Sequence, residues 1–120
     1  MLAKINGTVL YDNASGSTGN ITLSDSAANY TYLEILYKSN DDDYASVKIY
    51  QPNGKRACLH CVRANTATPR IYGKTRVVSI SGSSITSFTG SNSQYTVNNG
   101  SASGIVANNY IYITRVIGYN

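Results

Sequence analysis

Two strictly alternating, tyrosine-rich segments, Tyr30-Thr-Tyr-Leu-Glu-Ile-Leu-Tyr-Lys38 and Tyr44-Ala-Ser-Val-Lys-Ile-Tyr-Gln51, are joined by Ser39-Asn-Asp-Asp-Asp43. Alternation with period two is the pattern of a half-buried strand, so the pair reads as an antiparallel hairpin. With Lys38 opposite Tyr44 across a five-residue loop, the numbers of every two partners sum to 82. Leu33/Ile49, Ile35/Val47 and Tyr37/Ala45 then share one face, while Tyr32/Tyr50 and Glu34/Lys48 share the other. This register buries aliphatics, pairs opposite charges and leaves tyrosines outside. A slip of one residue would spoil all three.

The rest of the chain agrees with strands. Gly, Ser, Thr and Asn contribute 10, 15, 11 and 13 of the 120 residues, against a single Glu. Ser, Thr and Asn compete for backbone hydrogen bonds, and Gly is costly inside helices, so this composition opposes helix. Eleven Tyr among many Val, Ile and Thr favour pleated strands. The length suits one domain over 1–120 with its own core.

Strand one places Ile5, Gly7, Val9 and Tyr11 on one face, followed by a loop from Asp12 to Gly19. Ile21 and Leu23 mark a short strand, and Ser24 to Asn29 a capped turn or loop. Gln51-Pro-Asn-Gly54 is a turn with proline at its first corner. Lys55 to Arg63 alternates, with Ala57, Leu59 and Cys61 on one side and Arg56, Cys58, His60 and Val62 on the other. Arg70 to Ser81 turns at Gly82-Ser-Ser84 and returns from Ile85 to Phe88, a second hairpin. Tyr95-Thr-Val97 and Ile105-Val106 flank a loop from Asn98 to Gly104. Asn109 to Tyr119 is apolar on both faces, as in a central strand or one covered by a neighbouring subunit. Eight to ten short strands without a crossover helix describe an all-β antiparallel sandwich, jelly-roll-like in its strand number.

The net charge of +4 conceals an asymmetry. Residues 1–43 hold all six acids and two bases, whereas residues 44–120 hold eight bases and no acid. Such a split serves subunit packing, phosphate binding or the protection of strand edges. A single-strand nucleic-acid binder would use Arg56, Arg63, Arg70, Lys74 and Arg76 with Tyr72, but no recognised motif accompanies these bases. No apolar run at the amino terminus suits a signal peptide or membrane span, so we expect synthesis in the cytoplasm and no membrane insertion.

Catalytic constellations are not visible. Cys58-Leu-His-Cys61 resembles a metal or redox motif, yet residues three apart on a strand point to opposite faces. Buried or half-buried free thiols are expected, since free Cys is among the most buried residue types. Asp41-Asp42-Asp43 offers too few oxygens for calcium and reads as a solvated hairpin tip. Glu34 faces Lys48 and lacks a second carboxylate across a cleft, and His60, the one histidine, has no convergent nucleophile. We therefore expect a protein that is not an enzyme, without metal or cofactor. Tyr30, Tyr32, Tyr44 and Tyr50 remain as the candidate ligand or interface surface, because large exposed apolar patches are uncommon on monomers.

Three phrases, Gly19 to Ile35, Val47-Lys-Ile-Tyr-Gln-Pro-Asn-Gly54 and Tyr110-Ile-Tyr-Ile-Thr-Arg-Val-Ile-Gly-Tyr119, resemble the small β-rich domains of phage and prophage tail-fibre, baseplate and related virion proteins. The resemblance implies a virion part, often trimeric, that packs on other virion proteins and touches a host cell-surface polysaccharide. It transfers no functional residue. From the residues themselves, the alternative is a stand-alone carbohydrate-binding module stacking tyrosines on sugar rings.

Overall fold

The computed structural model describes residues 7–65, 70–87, 93–98, 101–107 and 109–120. Among them lie ten strands: β1 (Gly7–Ser17), β2 (Ile21–Thr22), β3 (Tyr32–Ser39), β4 (Tyr44–Tyr50), β5 (Arg56–Asn65), β6 (Arg70–Ser81), β7 (Ser84–Ser87), β8 (Ser93–Asn98), β9 (Ser101–Ala107) and β10 (Ile111–Tyr119). The expected all-β antiparallel sandwich forms. One sheet has the order β1-β10-β3-β4. In the other, the long β6 pairs with β5 along one edge and with β7 and β8 along the other, and β2 and β9 extend the ends. Among the described residues no helix is long and apolar enough to cross a membrane.

The β3–β4 register is the one the alternation dictates, from Tyr32 against Tyr50 to Lys38 against Tyr44. Leu33, Ile35, Tyr37 and Ile49 are buried, and Val47 packs beside them half-buried. They meet Ala57, Leu59, Val78, Ile80 and Ile85 of the second sheet in one core. Tyr37 ties the layers together, because its Oη donates to the His60 carbonyl (2.9 Å) and accepts from the His60 N–H (3.1 Å). Burial pushes the Tyr37 phenol up from its ordinary pKa, so it stays a neutral donor. β10 is central, between β1 and β3, as its two apolar faces require.

Elsewhere the structure corrects local expectations. The proposed shared face of Gly7, Val9 and Tyr11 is broken by a bulge between Val9 and Tyr11. Val9 is 49% exposed, Leu10 is buried, and Tyr11 packs against the core. An inserted residue reverses the alternation beyond it. Ile5, expected on that face, lies outside the described residues. The loop expected from Asp12 is strand as far as Ser17, its Gly and Ser supplying an irregularity in an edge strand rather than ending it. Likewise Ser101 to Gly104, expected as loop, belongs to β9, with Asn98 opposite Ser101. Residues 99 and 100 of that loop, and Phe88 of the second hairpin, lie outside the described residues.

Both tight turns follow their glycines. Pro52 O accepts from Lys55 N–H (3.1 Å), with Gly54 at φ +82°. The turn therefore sits one residue later than a proline corner predicts, because its left-handed slot demands Gly54. Gly82, at φ +55°, takes the first position of the two-residue β6–β7 turn, as in type II′, and β7 begins at Ser84. Between β2 and β3 the capped alternative holds. Ala27–Asn29 is a 3₁₀ turn, with the Ser26 hydroxyl accepting from Ala28 N–H (3.2 Å).

Candidate binding surface

The outer face of the four-stranded sheet carries one line of residues across all four strands: Gly7, Tyr119, Tyr32 and Tyr50 are successive cross-strand partners. Tyr32 and Tyr119 stack with centroids 4.7 Å apart and planes 10° apart; Tyr32 and Tyr50 are 5.1 Å apart and tilted by 36°. The spacing is that of neighbouring strands, so the pleat itself sets the ladder. A Cβ on Gly7 would come within 2.6 Å of Ile117 Cγ2 and 2.8 Å of the Tyr119 ring, so glycine there lets Tyr119 lie across β1. The Lys48 ammonium stands 5.6 Å from the Tyr32 ring centroid. Burial, helped by Glu34, raises the Tyr119 phenol above its ordinary pKa.

Stacking decides what the ladder can do. The faces of Tyr32 are covered by its two neighbours, so they cannot also lie against a sugar ring. Tyr50, on edge strand β4, is 60% exposed and leaves the ladder open at that end. Val9 and Ile117 extend the apolar strip beside the Glu34–Lys48 pair.

The other expected tyrosines separate. Tyr44 is 68% exposed at the opposite end of β4, with the Lys38 ammonium 5.9 Å from its centroid. Lys38 and Tyr112 continue that second line across β3 and β10. Tyr30 is off the outer face. Its ring packs against the core where Gly118 leaves room, and a Cβ on Gly118 would approach within 2.6 Å of it. Its Oη donates to Asp25 Oδ2 (3.0 Å). Tyr119 belongs to the ladder instead. Only the β10–β3 pairing reveals that, although its place at the end of an alternating apolar run was a signal.

The basic candidates do not form a stripe. Arg76 is fully buried, so its place in an exposed binding surface is corrected. Its Nε and Nη2 donate to Ser87 Oγ, Nη1 to Ser17 O and Ile111 O, and Nη2 to Gly19 O. Desolvation lowers its pKa. Arg63 binds Asp43 through two nitrogens at 3.1 and 2.9 Å. Lys74, buried, binds Asn40 Oδ1 and Asp41 Oδ2, both at 2.6 Å. Arg70 donates to the half-buried Tyr72 hydroxyl, whereas Arg56 is exposed on the other face of its sheet.

The aspartate tip is accordingly not merely solvated. Asp41, Asp42 and Asp43 pair with Lys74, Lys38 and Arg63 respectively. Cys58 and Cys61 lie on opposite sides of β5, as the spacing requires; Cys61 is half-buried as expected, but Cys58 is exposed, because the buried Ala57 and Leu59 on either side of it put it on the outer face. Burial pushes the Cys61 thiol up, which disfavours a nucleophilic thiolate. Among the described residues no three His, Cys, Asp or Glu side chains gather at one point.

The class that this geometry defines is a β-sandwich with an aromatic ladder on one sheet face. Compared with known proteins, the chain matches no family model and none of the curated sequences.

Proposed function

We propose that the chain is a non-catalytic structural module of a phage or prophage virion that self-associates through the outer face of its four-stranded sheet. The supporting observation is the ladder Tyr119–Tyr32–Tyr50, closed at Gly7 and open at Tyr50. Aromatic pairs contribute about 0.5–1.5 kcal/mol beyond their buried area. A second copy laying its own strip on Tyr50 and Val9 extends the stack and removes exposed apolar surface from water. The residues around the strip supply both signs of charge in one small area, Glu34 with Lys48 and Asp12 with Arg115, which suits a face that meets itself.

Sedimentation equilibrium across micromolar concentrations tests this. The native chain should be oligomeric, and Tyr50→Ala should weaken association by about tenfold or more while leaving Tm within a few degrees, since Tyr50 is exposed. A chain monomeric throughout, or association indifferent to Tyr50→Ala, removes the reading.

A further inference from the structure

β4 ends the order β1-β10-β3-β4, so among the described residues one of its edges has no strand beside it. Which groups line that edge follows from the hairpin. Gln51 N–H donates to Thr31 O (2.8 Å) and Ser39 N–H to Asp43 O (2.9 Å), just beyond the two ends of β4, and bonded pairs in an antiparallel ladder recur at every second residue. The odd-numbered residues of β4 therefore bond to β3, and the N–H and C=O groups of Tyr44, Ser46, Lys48 and Tyr50 point outward. All four residues are exposed.

Natural strand edges carry guards against pairing with strangers. β1 has two register shifts, and at β5 the N–H and C=O of His60 are held by Tyr37 Oη. β4 has no register shift, glycine or proline over its seven residues. Its lysine does not cover the edge either, because the Lys48 ammonium lies by the Tyr32 ring on the sheet face. Lys55 Nζ reaches the last carbonyl, Tyr50 O (2.8 Å), and a carbonyl keeps a second lone pair.

We propose that β4 pairs edge to edge with β4 of a second copy, antiparallel about a two-fold axis at Val47, which joins two four-stranded sheets into one. The edge fits itself in this register. Tyr44 of each copy meets Tyr50 of the other and Ser46 meets Lys48, so every outward N–H and C=O finds a partner along the whole strand. Moving the axis to Lys48 would set the two lysines opposite each other and put Pro52, which has no N–H, against Tyr44. Moving it to Ser46 would bring Tyr50 against Asp42, left-handed in the turn. In the Val47 register Lys48 also approaches Glu34 of the second copy, whose Oε2 stands 3.3 Å from Ser46 Oγ. The aromatic ladder runs on across the joint, from Tyr119, Tyr32 and Tyr50 into Tyr44, Lys38 and Tyr112 of the second copy. Resting on the reading that the chain self-associates, this contact reaches Tyr50 from the edge, leaves Val9 and the outer face free for a further copy, and adds copies in pairs rather than in threes.

Amide hydrogen exchange followed by NMR at low and high micromolar concentration, beside sedimentation equilibrium, tests the contact. The amides of Tyr44, Ser46, Lys48 and Tyr50 should exchange freely in the dilute chain and at least about tenfold more slowly in the concentrated one, with an even number of copies in the particle. Ser46→Pro removes a donor that the chain's own sheet does not use, so the fold should persist while protection at Lys48 disappears. Ser46→Lys sets lysine opposite Lys48 of the second copy in two symmetric places, yet near Glu34 of its own chain. It should keep Tm and weaken association about tenfold. Association in which these amides exchange at the dilute rate overturns the edge contact and leaves self-association through the face. A chain monomeric throughout overturns both. Amides protected only after another protein is added give the edge to a foreign strand, which also overturns the proposal, as does undiminished association of both folded variants.

Discussion

Arg76 shows how one residue can join four segments. Its guanidinium reaches carbonyls at the end of β1, in the following turn and at the start of β10, and the hydroxyl of Ser87 on β7. No carboxylate compensates it, so its stabilisation comes from a full set of donors meeting acceptors that would otherwise be buried unpaired. Lysine cannot replace that planar fork. We predict that Arg76→Lys and Arg76→Met each destabilise by about 2–4 kcal/mol, a fall in Tm on the order of 10 °C, read by thermal denaturation. Methionine removes the desolvated charge but leaves three carbonyls stranded, so it should be no milder than lysine. That Arg76 points inward was implicit in the alternation with Val78 and Ile80. What could not be read was that a charge at that position would be enclosed, because its acceptors come from residues 17, 19, 87 and 111.

At the scale of elements, the β3–β4 hairpin separates legible from illegible structure. Its register followed from local alternation, since pairing across a short loop involves only neighbours in sequence. The tip is tighter than a five-residue loop: Ser39 N–H donates to Asp43 O (2.9 Å) and Asp42 N–H to Ser39 O (3.0 Å), with Asp42 left-handed at φ +60°. A type I turn followed by a left-handed residue prefers glycine at that last position. Asp42→Gly should therefore stabilise the protein by about 0.5–1 kcal/mol, the lost 3.6 Å pairing with Lys38 being exposed and worth little. An unchanged or lower denaturation midpoint would count against that account of the tip. The bulge in β1 and the strand content of Ser101 to Gly104 were not legible, because edge strands tolerate Gly and Ser and their pairing is settled by distant partners. The candidate surface divided in the same way. Tyr32 and Tyr50 were found from the hairpin, whereas Tyr119, Gly7 and the inward turn of Tyr30 depend on contacts far apart in sequence.

For the whole molecule, part of the charge asymmetry is met within the chain. Among the described residues, three ion pairs join the acidic first third to the basic remainder: Asp12–Arg115 within one sheet, and Asp41–Lys74 and Asp43–Arg63 between the tip of β3–β4 and the second sheet. The tip thus fastens the two layers at one end, as Tyr37 does nearer the middle. This makes the sandwich sensitive to acid. The Asp41 carboxyl is held below its ordinary pKa by its hydrogen bond to Lys74 and then by that ammonium's charge, and Asp25 is held below by Ser26 N–H, Asn29 and Tyr30. A carboxyl with a lower pKa in the folded state contributes stability in full above its unfolded pKa of about 3.9, and loses it as pH falls through the folded value. Tm should hold steady from neutrality to about pH 5 and decline below about pH 4. Asp41→Asn should lower Tm at neutral pH, a loss of about 1–2 kcal/mol, because the buried Lys74 loses its carboxylate and, among the described residues, keeps Asn40 and the Tyr110 ring as partners. It should also flatten the acid limb, so that variant and native curves converge as pH falls. Parallel curves would mean that the hairpin tip does not fasten the sheets through Asp41, leaving Tyr37 and the apolar core to hold them together.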